Sequence, residues 1–234
     1  MNIYIKNCDV NITGTDTLEI SGNAHPAAAE APAESKESGF ISEMTYSVSA
    51  FMENRDKVKI GDRVKLPSFT VPAVKMDGDE VMEFDKKNIR ADDAIVIGKD
   101  ENGNFILIFD HCLFESVIDL NNEKRFEMTQ LGQYLQNEFL RAMNGAGIPA
   151  EICGLISKEE MFGDNALEYF KTGRNRIAFD FGEDCSRYYW LSILYDEEAS
   201  AASFCCVSCY GGSAYAGASA AHRCVRPRFV ISAI

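Results

Sequence analysis

Residues 199 to 222 read ASAASFCCVSCYGGSAYAGASAAH, a run of 24 positions without Lys, Arg, Glu, Asp, Gln, Met, Trp, Leu or Ile. No helical or strand period passes through its large side chains: Ala and Ser fill more than half of it, and Phe204, Val207, Tyr210 and Tyr215 fall at uneven intervals. On composition alone the run reads as an Ala/Ser-rich loop or a poorly formed helix. Every residue type in it has a codon ending in a pyrimidine, whereas Lys, Glu, Gln, Met and Trp have none. Ordinary usage would place about five of the latter in a run this long. Asn codons randomised at their two adenines give this output set, so a mechanism that exchanges adenines between invariant codons accounts for the bias.

Around this run the chain carries ordinary signals of a mixed fold. Ile3-Tyr4-Ile5 and Thr17-Leu18-Glu19-Ile20 alternate as two short strands, so residues 1–22 read as a small β-type appendage. Residues 23–43 include NAHPAAAEAPAESKES, too rich in Pro, Ala and Glu to bury a core, and read as a flexible linker. Residues 44–234 are then the main domain. Val58 to Leu66 predicts a strand broken at Gly61-Asp62, and residues 94–97 and 105–109 predict a hairpin. Leu131, Tyr134, Leu135, Phe139 and Leu140 recur at helical spacing, with Thr129 as N-cap and Gly145 past the end. Ser157-Lys158-Glu159-Glu160 fits a capping box opening a short second helix, stopped by Gly163-Asp164-Asn165. Residues 176–179, 188–192 and 228–231 are strand-like. Strands flanking one or two helices without regular alternation point to an α+β fold.

Bulk properties narrow the partners. With 36 acidic and 23 basic residues the net charge is -13, which repels phosphate backbones and anionic lipid heads. Neither nucleic acid nor membrane insertion is expected, since no apolar run approaches the roughly 20 residues a membrane helix needs. Residues 1–20 lack the basic start and apolar middle of a signal peptide, so a cytoplasmic or virion location is expected rather than ordinary secretion, with the eight cysteines mostly reduced.

The chain resembles the variable proteins of diversity-generating retroelements, found in phages and bacteria. The resemblance rests on Tyr188-Tyr189-Trp190-Leu191-Ser192, on Phe204-Cys205, Val207 and Gly211 within the run, and on Arg223-Cys224-Val225-Arg226-Pro227-Arg228-Phe229. Residues 157–163 and Asn175-Arg176-Ile177 also look like the mid-domain signature of related lectin-like domains. It implies a C-type-lectin-like fold shared with formylglycine-generating enzymes, and a hypervariable region at about 193–222. It implies ligand contacts at Cys206, Ser208, Cys209, Tyr210, Gly212, Ala214, Tyr215, Ala216, Gly217, Ala220 and His222, with additions at Tyr195, Ala199, Ala201 and Ala202. The implied function is receptor recognition of a macromolecule, such as a cell-surface protein, without catalysis, cofactor or metal. No Glu-Pro-Asn or Trp-Asn-Asp triplet is present, so calcium-mediated sugar binding is not implied.

Trp190, the single Trp, reads as core, and Arg226 as a pin for the last strand through backbone carbonyls or a carboxylate such as Asp180 or Glu183. Tyr210 and Tyr215 offer rigid contact area at low entropic cost, as in antibody loops. Three other readings remain open. Cys206, Cys209, His222 and Cys224 could hold zinc, although His222-Arg223-Cys224 has unusual spacing. Cys205, Cys206, Cys209 or Cys224 could serve a cysteine enzyme of the formylglycine-generating type. Residues 1–22 could dock the chain, alone or as a homo-oligomer, on a virion or surface assembly.

Overall fold

The computed structural model describes residues 44–183, 185–219 and 221–232. The expected strands of residues 1–22, the linker up to residue 43 and Ala220 lie outside these. The described residues belong to one compact unit, Ile41–Ile234. The architecture is α+β, with many short strands and few helices.

A six-stranded sheet runs in the order Thr45–Ser47, Arg63–Leu66, Asp92–Lys99, Phe105–Phe109, Arg228–Ile231, Ala150–Gly154. The first pairing is parallel and the others antiparallel. The hairpin at its centre turns where the Asp100 carboxylate accepts from the N–H groups of Asn102 and Asn104, each at 2.9 Å, with Gly103 at φ 82°. Every residue of Phe105–Phe109 is buried. Phe105, Leu107 and Phe109 face a core containing Phe51, Phe139 and Phe229, while Ile106 and Ile108 face a second containing Ile97, Met161 and Phe170. A sheet covered on both faces has no polar side to display, which is why these strands read as continuous apolar runs.

One side of the first core is closed by Gln130–Tyr134, Leu135–Phe139 and Leu140–Gly145. The sequence predicts one helix here, and the structure widens its middle into a π turn. An i→i+5 turn brings residues five apart to the same side, so Tyr134 and Phe139 are both fully buried. Thr129 caps the start, its Oγ1 accepting from Gly132 N at 3.0 Å. The Ser157 capping box is present, with Ser157 Oγ taking the Glu160 N–H and the Glu160 carboxylate taking the Ser157 N–H.

The second sheet has the order Phe114–Ser116, Arg223–Val225, Tyr189–Leu194, Ser203–Val207, Ser213–Gly217. Two of its strands, Ser203–Val207 and Ser213–Gly217, lie in the Ala/Ser-rich run, which is therefore not a single loop or a weak helix. The missed signal has a physical cause. Ser203–Val207 is paired on both sides and buried on both faces, with Phe204 and Cys206 in the first core and Cys205 and Val207 in the second. A strand with two apolar faces shows no period of two. Trp190 is fully buried beside it, its Nε1 donating to the Ser116 carbonyl at 2.8 Å. Arg226 is 2% exposed, donates from Nε to the Phe109 carbonyl at 2.7 Å, and lies 5.5 Å from the centroid of the Tyr189 ring. Among the described residues no helix is long and apolar enough to cross a membrane.

Candidate functional site

The loop from Tyr195 to Ala202 joins Tyr189–Leu194 to Ser203–Val207 and is held by its backbone. Lys124 Nζ donates to the carbonyls of Glu197 and Ala199 at 2.9 and 2.7 Å. Asn122 donates from Nδ2 to the Ser200 carbonyl at 3.0 Å, and its Oδ1 accepts the Ala202 N–H at 2.6 Å. Asn122 stands at φ 61°, a conformation that Asn tolerates better than most residues. Because both anchors grip main-chain atoms, the side chains of Glu197, Ala199 and Ser200 can change without removing these bonds. Neither anchor was legible as functional in the sequence, because each lies more than 70 residues from the atoms it grips.

The second loop is the turn from Ser208 to Gly212, between Ser203–Val207 and Ser213–Gly217. Ser208 N donates to the Gly212 carbonyl at 2.8 Å, Gly211 N to the Ser208 carbonyl at 2.9 Å, and Gly212 N to Ser208 Oγ at 3.1 Å. Gly211 sits at φ 78°, and a Cβ there would lie 2.9 Å from the Gly173 carbonyl oxygen. A side chain at 211 is therefore excluded twice, by conformation and by contact. Tyr210, beside it, projects outward at 87% exposure.

These loops and the edge strand Ser213–Gly217 leave the expected contact residues at different depths. Tyr195, Ala201, Tyr210, Gly212, Tyr215 and His222 are exposed. Ala199, Ser208, Cys209, Ala214, Ala216 and Gly217 are half-buried. Tyr195 and Tyr215 stack on one another. Cys209 and His222 share a cavity of about 220 Å³ with Glu115, Ser186, Arg187, Tyr188 and Arg223. Two expectations are corrected. Ala202 is 4% exposed and Cys206 is 1% exposed, both inside the first core, because alternate positions 202, 204 and 206 of this inner segment point the same way and Phe204 between them is buried there. Neither can touch a ligand.

The cysteines do not form the sets their spacing suggested. Cys206 lies in the first core, Cys205 in the second, and Cys209 in the surface turn. Cys224 instead meets Cys112 and Asp180, whose ligand atoms all lie within 4.8 Å of one another, and this is the only such group of three or more among the described residues. The neighbouring Cys224 together with burial pushes the Cys112 thiol up, while Cys112 pulls the Cys224 thiol down against its own burial. The group borders a cavity of about 320 Å³, lined also by Asp92, Phe181 and Arg187. Sequence reasoning missed Cys112 and Asp180 because nothing local links them to Cys224.

Comparison with known proteins gives no matching family model, no matching curated protein and no matching solved structure.

Proposed function

We propose that this chain is a ligand-binding protein whose C-terminal surface is diversified by a retroelement, on a C-type-lectin-like domain. The observation that carries the reading is the division of labour across one segment. Phe204, Cys205, Cys206 and Val207 are buried as an inner strand, while Tyr195, Ala201, Tyr210, Gly212 and Tyr215 stand in solvent on loops and an edge strand fixed by backbone bonds. Such a surface tolerates replacement of its side chains, because backbone bonds hold most of it and the Tyr195–Tyr215 stack adds only a small, solvent-exposed contribution. Tyr195, Tyr210 and Tyr215 supply flat amphipathic area for a macromolecular partner, a protein on a cell surface. The small residues between them make the present surface shallow.

Two experiments test this. The DNA around the coding sequence is expected to hold a near-copy of the codons for residues 193 to 228, differing only at adenines, beside a reverse-transcriptase gene; differences at other bases would refute diversification. Display of two libraries tests the scaffold. Randomising Tyr195, Ala201, Tyr210, Gly212 and Tyr215 is expected to leave most clones folded, and randomising 204–207 few; equal losses would remove the basis for the reading.

A further inference from the structure

The geometry points to a metal site for a thiophilic divalent ion of the zinc class, ligated by Cys112, Cys224 and Asp180, with its fourth position open to the neighbouring cavity. The three donors come from three strands and two sheets: Cys112 from His111–Cys112, Asp180 from Ala178–Asp180, and Cys224 from Arg223–Val225. Asp180 and Cys112 are register partners across a parallel pairing, and Glu115, three residues after Cys112, pairs with Cys224. Backbone pairing therefore fixes all three side chains before any ion arrives.

Distances and chemistry suit the ion. Zinc–sulfur bonds of about 2.3 Å at a tetrahedral centre put two sulfurs about 3.8 Å apart. Donor atoms already within 4.8 Å reach that spacing by small side-chain adjustments. Cys112 and Cys224 are 5% and 2% exposed, so two soft donors lie in a dry setting, while Asp180 keeps about a quarter of its side chain in solvent on the cavity side.

The surroundings are those of a supported ligand set. Asp180 directs Oδ1 at Cys224 Sγ, 3.5 Å away, and Oδ2 at Arg187 Nε, 3.0 Å away. Oδ1 is thus placed to ligate while Arg187 orients the carboxylate from outside, as ligating carboxylates are commonly held. Arg187 is itself fixed by a second ion pair with Glu115. Two thiolates and a carboxylate exceed a divalent ion by one negative charge, and Arg187, which also pairs with Glu115, offsets part of the combined charge. Arg226, 2% exposed and bonded through Nε to the Phe109 carbonyl, lines the neighbouring interior, and its buried Nη1 has no hydrogen-bond partner among the described residues. With three protein donors and an open position, the ion would tie the three-stranded sheet Ser186–Arg187, Ala178–Asp180, His111–Cys112 to the sheet that carries the exposed tyrosines. The site is independent of the function proposed above, since none of its ligands lies in the 195–217 segment.

The test is a cobalt(II) titration of the reduced full-length chain. A saturable thiolate-to-cobalt charge-transfer absorption with the visible bands of four-coordinate cobalt is expected, displaced by zinc. Asp180→Asn and Arg187→Gln leave both buried thiols in place, and each is expected to weaken binding about 10–100-fold. Cys112→Ser and Cys224→Ser are expected to abolish the charge-transfer band, with circular dichroism confirming that they fold. Cys185→Ser and Cys209→Ser are expected to leave the titration unchanged. Absence of the band in the parent chain, its persistence unchanged in Asp180→Asn, or its loss in Cys185→Ser would each overturn the assignment.

Discussion

Tyr195 and Tyr215 stack face to face with ring centroids 3.8 Å apart and planes 12° from parallel, although each side chain is more than half exposed. One ring stands at the start of the 195–202 loop and the other in the edge strand, so the pair bridges two segments across Ser203–Val207. Aromatic pairs contribute about 0.5–1.5 kcal/mol beyond area burial, and solvent access puts this pair at the lower end. In a double-mutant cycle, Tyr195→Ala and Tyr215→Ala together are expected to cost less than the sum of the single changes, by about 0.5 kcal/mol. Urea unfolding measures it, and strict additivity would show that the rings do not support one another.

Gly211 presents the opposite case, a small residue that cannot vary. Its positive φ and the nearby Gly173 carbonyl oxygen mean that Gly211→Ala is expected to cost about 1–3 kcal/mol. At Gly212 an added Cβ meets only Ser208 Oγ at 3.5 Å, so Gly212→Ala is expected to stay within about 0.5 kcal/mol. Denaturant midpoints of the two variants compare them directly, and equal effects would contradict the described turn.

What the sequence could disclose followed the range of the interaction. The caps at Thr129 and Ser157 were legible because a cap and the N–H it satisfies lie three residues apart. The α+β class followed from segment lengths and apolar runs. The split of the Ala/Ser-rich run into outward and inward positions did not follow, because Ala and Cys are small enough for either side: Ala201 is exposed and Ala202 buried. The anchoring of the loop by Asn122 and Lys124, and the meeting of Cys112, Asp180 and Cys224, depend on sheet pairing between distant segments, for which a single sequence carries no local sign.

The anchoring of the 195–202 loop has a local consequence. Asn122→Gly keeps the positive φ and removes only the side chain, so Ser200 and Ala202 each lose a partner. Amide exchange at Ala202 is expected to accelerate about fivefold or more, the equivalent of about 1 kcal/mol for one hydrogen bond, with little change in Tm. Hydrogen-exchange mass spectrometry of a peptide spanning the loop reads the difference. Unchanged exchange would mean that something other than Asn122 fixes the loop.

The same turn carries an acid-sensitive element. Glu123 Oε1 accepts the N–H of Arg125 at 2.8 Å and that of Lys124 at 2.9 Å. The bond from Arg125 is the chief reason its carboxyl lies below the usual glutamate range, with slight burial opposing and the Lys124 bond assisting. A carboxyl whose folded value is depressed contributes stability that is present above the unfolded value of about 4.3 and disappears as pH falls through the folded value. Glu123→Gln removes that contribution at neutral pH and has no such proton to take up in acid. The stability gap between the parent and Glu123→Gln is therefore expected to be widest near neutrality and to close below about pH 4. Urea midpoints measured across that range follow it. A gap independent of pH would assign the turn's stability to the geometry of the side chain rather than to its charge.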